Sequence, residues 1–116
     1  MTFSFVETTD FTDLIAEYFG SDEHYLKLQA TILKDPGAGQ VIQGTGGLRK
    51  LRWTDPRRGK GKRGGLRIIY LHVPAGNIVV LLDVYDKDEA DDLSPAVRRV
   101  LSEQVSQLQE FYKRQR

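Results

Sequence analysis

The sequence predicts an α+β domain in which a small, twisted, mainly antiparallel sheet packs on helices in the order β-α-α-β-β-β-α. Three observations lead there. The hydrophobic period changes from strand-like to helical near residue 9, several short β-branched runs follow one another between residues 41 and 85, and a single amphipathic helix closes the chain. At 116 residues, with no internal repeat, linker or low-complexity stretch, residues 1–116 read as one domain with its own core.

"FSFVET" at 3–8 is the first strand. Phe11, Leu14, Ile15, Tyr18 and Phe19 then fall on one helical face, with Thr9 or Asp10 as N-cap and Gly20 past the end. Ser21 caps a second helix whose first turn carries Asp22 and Glu23, suited to the positive end of the dipole. Tyr25, Leu28, Ile32 and Leu33 are its expected buried face, and "DPGAG" at 35–39 stops it, so the two helices form an antiparallel hairpin. Strands follow at "VIQ" (41–43), "LRKLRW" (48–53), "LRIIYLHV" (66–73) and "IVVLLDVY" (78–85), the last two joined by the turn-forming "PAGN". Ser94 and Pro95 make an N-cap and first helical residue for a final helix, with Val97, Val100, Leu101, Leu108 and Phe111 as its apolar face.

The formal net charge of +1 hides strong segregation. Residues 1–48 carry two basic and seven acidic side chains, whereas residues 49–67 carry nine basic against the single Asp55. About half of the 17 basic residues thus sit in one short segment, the footprint expected of a nucleic-acid contact, although a solvated basic loop would have the same composition. In "RRGKGKRGG" the glycines let Arg57, Arg58, Lys60, Lys62 and Arg63 settle onto phosphates, and Arg49 adds a further candidate RNA contact. Five such contacts on single-stranded RNA would give a salt slope of about −3.5.

Other chemistries are poorly served. With no cysteine there is no disulfide framework, thiol nucleophile or thiolate metal site, and the two separated histidines, His24 and His72, make no zinc site. No metal or other cofactor is therefore expected. "GTGG" at 44–47 lacks the Lys-Ser/Thr of a phosphate-binding loop and leads into a strand, not a helix. The N-terminal segment has no signal-peptide pattern and no stretch approaches the roughly 18 apolar residues of a membrane span, so a cytoplasmic protein is expected.

Strand alternation places Leu51 and Trp53 toward the helices and Lys50 and Arg52 on the opposite side. If sequential strands pair, Lys50, Arg52, Arg67, Tyr85 and Lys87 converge on one exposed sheet face. Those residue types suit RNA cleavage by the neighbouring 2′-hydroxyl, which requires proton transfer at two oxygens and cations for the charge growing on phosphorus. Arg52 and Arg67 suit charge stabilisation. Lys50 is a candidate base, and Tyr85 either stacks on a base, donates a proton, or merely packs.

"VIQGTGGLRKLRW", "GKGKRGGLRIIY" and "YDKDEADDLS", in this order and spacing, resemble the RelE/ParE superfamily of bacterial type II toxins, nearest its HigB-type branch. The resemblance spans nearly the whole chain. It implies a RelE-like microdomain and ribosome-dependent cleavage of mRNA in the decoding site. It also implies two partners, the 70S ribosome with its mRNA and a cognate antitoxin of helix-turn-helix type. By motif it assigns Lys50 and Arg52 to the paired basic strand positions, Arg67 to the phosphate-binding arginine and Lys87 to a position where RelE has arginine. RelE's tyrosine near the last helix corresponds here to Leu93, and Tyr85, in the branch's own Y-x-K pattern, is the candidate replacement. Two alternatives stay open, a ParE-like DNA gyrase inhibitor and a noncatalytic RNA- or ribosome-binding module.

Overall fold

The computed structural model describes residues 4–57, 65–88 and 92–114. Its elements keep the expected succession of a strand, two helices, a run of strands and a last helix, but that run holds four strands, one more than the order β-α-α-β-β-β-α: β1 (Ser4–Glu7), α1 (Thr9–Phe19), α2 (Asp22–Lys34), β2 (Gln40–Val41), β3 (Arg49–Trp53), β4 (Leu66–Val73), β5 (Ile78–Asp86) and α3 (Pro95–Arg114). The five strands form one mixed sheet in the order β1-β5-β4-β3-β2. β2 to β5 pair antiparallel with their sequence neighbours, whereas β1 lies parallel to β5 at the other edge. "PAGN" forms a 3₁₀ turn that closes with Asn77 in the left-handed region, φ 52°.

Both faces of the sheet are covered. Leu66, Ile68 and Tyr70 of β4 point to one side, where Phe11, Phe19, Leu28 and Ile32 of the helical hairpin complete a core that Trp53 joins at its margin. Ile69, Leu71 and Val73 point to the other side, against Leu101 and Val105 of α3. Two-sided burial explains why β4 and β5 read as almost unbroken apolar runs. Each fully buried Leu, Ile or Phe contributes roughly 1.5–3 kcal/mol through removal from water. This corrects the expectation of an exposed sheet face: α3 covers most of that side, and the expected cations gather at the end of the sheet where α3 begins.

Three local expectations are also corrected. The N-cap of α1 is Thr8, neither Thr9 nor Asp10. Its hydroxyl accepts from Phe11 N–H at 3.2 Å and donates to the Leu82 carbonyl at 3.3 Å, so the cap also fastens the helix to β5. Leu33 is 48% exposed, because the sheet-facing stripe of α2 ends at Ile32. On α3 the buried stripe is Leu101 and Val105, with Leu108 and Tyr112 beside it, while Val97, Val100 and Phe111 face outward at 41%, 52% and 57% exposure. Ser94 does cap α3, accepting from Val97 N–H at 3.2 Å.

The glycines of "GTGG" serve the backbone. Gly46 has φ +82°, and a Cβ there would stand 3.3 Å from Val105, so the loop turns tightly against α3. The Gln43 carbonyl accepts from Arg98 and the Gly46 carbonyl from Gln109, tying this loop along the helix. Among the described residues, no helix is long and apolar enough to cross a membrane.

Candidate functional site

Register decides which cations meet. Arg52 on β3 is paired with Arg67 on β4, and Arg67 is paired with Tyr85 on β5, so these three side chains form a row across adjacent strands on the α3 side of the sheet. One step along, Lys50 pairs with Ile69 and, on its other side, with Gln40 of β2. Just past β5, Lys87 donates its backbone N–H to the Gly65 carbonyl at 3.0 Å, which holds it beside the start of β4. Lys50, Arg52, Arg67 and Lys87 line one cleft of about 440 Å³, whose remaining wall includes Ala38 and Gln40.

The electrostatics of this cleft favour an anion. Arg67 is only 5% exposed, and burial, followed by the Arg52 charge beside it, lowers its pKa from the usual arginine value. It remains a cation, since arginine does not titrate in the physiological range. Two guanidinium groups held side by side at a partly dry site repel each other, and an anion between them relieves that repulsion. Arg67 donates to the Leu66 carbonyl at 3.1 Å, which fixes the guanidinium near its own strand. Lys50 Nζ lies 3.5 Å from Asp92 Oδ1, so a carboxylate already stands at one side of the cleft.

Tyr85 is placed differently from the other four. Its ring packs on the α3-side core and lines a neighbouring cavity of about 250 Å³ with Asp92 and Leu93. Its hydroxyl is buried with no hydrogen-bond partner among the described residues. Burial, reinforced by Asp92, pushes its pKa up to about 12, so it keeps its proton at neutral pH and has an O–H to donate. A buried hydroxyl without a partner costs about 1–3 kcal/mol.

Two of the residues expected to touch RNA are engaged elsewhere. Arg57 is held by two carboxylates that are themselves 0% exposed. It donates to both oxygens of Asp55 at 3.1 and 3.0 Å and to Asp86 at 3.0 Å, while its guanidinium sits 4.5 Å from the centre of the Tyr18 ring. Arg57 is thus a buttress joining the ends of β3 and β5, engaged with carboxylates where a phosphate contact was expected. Arg49 pairs with Tyr70 and therefore lies on the sheet face opposite Lys50, where it donates to the Gly39 carbonyl at 2.7 Å and to that of Gly37 at 3.4 Å. Arg58, Lys60, Lys62 and Arg63 lie outside the described residues.

A contributor missed in the sequence is the wall formed by residues 35–40. Tyr70, fully buried, accepts from Gly39 N–H at 2.9 Å and donates to the Pro36 carbonyl at 2.8 Å. A Cβ on Gly39 would come within 2.9 Å of the Tyr70 ring and 3.1 Å of the Lys50 carbonyl, so only glycine fits this approach. A larger cavity, about 560 Å³, lies between α1, β5 and the start of α3, but its lining is apolar with Asp10, Asp13 and Asp83, the wrong sign for phosphate. Among the described residues no group of three His, Asp or Glu is arranged to hold a metal ion. No protein-family model matches the chain.

Proposed function

We propose that this chain is a ribosome-dependent mRNA endonuclease, the toxin of a type II toxin–antitoxin pair of the RelE/ParE kind nearest the HigB branch. The observation that carries the reading is the convergence of Lys50, Arg52, Arg67 and Lys87, drawn from β3, β4 and the end of β5, on one cleft of about 440 Å³. Arg67 and Arg52 are placed to hold the non-bridging oxygens of a phosphodiester and to stabilise the charge that grows there. Attack by the 2′-hydroxyl on phosphorus breaks the bond to the 5′-oxygen and leaves a 2′,3′-cyclic phosphate. One proton leaves the 2′-oxygen and another reaches the 5′-oxygen. Lys50 and Lys87, which flank the arginines, are the groups proposed to exchange them, with Tyr85 donating a hydrogen bond from beside Arg67. An open cleft with this little machinery of its own suits an enzyme whose substrate is positioned by the ribosome. The sequence resemblance supplies the proposed partners, the 70S ribosome and a helix-turn-helix antitoxin, and with them a cytoplasmic setting.

The test is primer extension on ribosome-engaged mRNA after brief induction. Wild type yields new 5′ ends at codon-spaced positions, and Arg67→Ala, purified and shown to be folded, loses them by roughly 10²–10³-fold, as for removal of one transition-state donor. Uncut mRNA with inhibited gyrase would instead select the ParE-like activity. A second reading, a noncatalytic RNA-binding module, is favoured by the burial of the Tyr85 hydroxyl and by Lys50 being paired with Asp92. Tight RNA binding with no cleavage on or off the ribosome would select it.

A further inference from the structure

We infer that Gln40 reads a nucleobase in the cationic cleft and so sets the base preference of this protein, an assignment that rests on the proposed RNA substrate. Lysine and arginine here face a phosphate chain, and phosphate contacts hold any sequence alike. Ala38 and Leu51, which complete the lining, bring no polar side chain. Among the described lining residues Gln40 alone carries a neutral amide, with a donor and an acceptor side by side, the pair needed to match the edge of a base.

Its placement fits that task. Gln40 stands directly opposite Lys50 in the β2–β3 ladder, so the two side chains share a face, one strand apart. A nucleotide whose phosphate lies on the arginine row can therefore turn its base toward β2. Discrimination further requires that the reading group be held still before the ligand arrives. The backbone one residue before Gln40 is fastened from both sides: Gly39 N–H donates to Tyr70 at 2.9 Å, and the Gly39 carbonyl accepts from Arg49 at 2.7 Å. Asp35 anchors the start of the same wall through Gly37 N–H at 3.1 Å. Gln40 itself is exposed, so the fold does not depend on its side chain and a substitution tests recognition alone.

The experiment measures binding of short uridine oligoribonucleotides in which one central base is varied, by fluorescence anisotropy. In parallel, cleavage is measured on ribosomes whose decoding-site codon carries the same substitutions. Wild type is expected to favour one base by roughly five- to 150-fold, the range of a good amide–base pair. Gln40→Ala should flatten that preference to within about threefold while keeping phosphate-driven affinity and its salt dependence. Gln40→Glu, which can only accept, should move the preference toward guanine, whose Watson–Crick edge offers adjacent donors. Equal treatment of all four bases by wild type overturns the assignment, as does an unchanged preference in Gln40→Ala or a uniform loss on every base. Base-selective binding that Gln40→Ala abolishes, with no cleavage on any codon, sinks the nuclease reading and leaves the role of Gln40 standing.

Discussion

Removing the guanidinium of Arg57 leaves Asp55 and Asp86 buried, both 0% exposed, with their shared counter-charge gone. The Arg57 side chain is 26% exposed and both carboxylates keep other bonds, Asp55 accepting from Arg57 N–H and Asp86 from Asp88 N–H, so breaking the pair belongs at the lower end of the roughly 3–5 kcal/mol of buried ion pairs. Loss of the guanidinium stacked on Tyr18 adds to that penalty. Taking the lower end and about 4 °C per kcal/mol for a domain of this size, Arg57→Ala should melt roughly 12 °C below wild type. Calorimetry and urea denaturation check the figure. The companion variant Arg57→Ala with Asp86→Asn should recover part of the loss, because one of the two buried carboxylates is then uncharged. RNA binding, measured well below the melting range, should keep its salt slope, whereas a phosphate contact at Arg57 would lower the slope by about 0.7 on single strands. A stability change within about 0.5 kcal/mol, the range of an ordinary surface substitution, together with that shallower slope, would falsify the buttress and restore Arg57 to the RNA surface.

Further outcomes follow from the cleft and its surroundings. Asp92→Asn removes the carboxylate beside Lys50. The pair is partly exposed, so the gain in RNA affinity should stay below about fivefold, seen in filter binding and fading at high salt. Tyr70→Phe deletes the hydroxyl that joins Gly39 to Pro36 and should cost about 1–3 kcal/mol in urea unfolding, with faster amide exchange at Gly39. Burial, with Asp10 nearby, raises the pKa of Asp83, so the folded protein takes up a proton more readily there than the unfolded chain does. From that group, stability should increase as pH falls through the raised folded value. Asp83→Asn should be more stable than wild type at pH 7 and should lose that increase, as pH-dependent melting would show.

Much of the fold can be read from local signals. The Ser21 and Ser94 caps, the "PAGN" reversal and the run of short strands each depend on neighbours close in sequence. The α3 face was misjudged because the helix is apolar on two sides. Val97, Val100 and Phe111 satisfy the same period as Leu101, Val105 and Leu108, and only the sheet chooses between them. The edge taken by β1 was equally illegible, since an aromatic and a β-branched residue at Phe5 and Val6 say nothing about direction of pairing. In the cleft, parity along β3 puts Lys50 and Arg52 on one face, but only the register between strands brings them together with Arg67 and Lys87. The roles of Arg57 and Arg49 depend on Asp86, 29 positions away, and on carbonyls of the preceding loop. Composition cannot distinguish these cations from ones facing solvent.

The parallel seam between β1 and β5, and the Thr8 bond to Leu82 that spans 74 positions, have a consequence for biosynthesis. A nascent chain emerges N-terminus first, so its opening strand has nothing to pair with until β5 has left the ribosome, and the α1–α2 hairpin keeps an uncovered apolar side until then. Lys87 arrives later still. Under the proposed function, the protein therefore cannot attack the message from which it is being made until the codon for Lys87 has been read and β5 has left the ribosome.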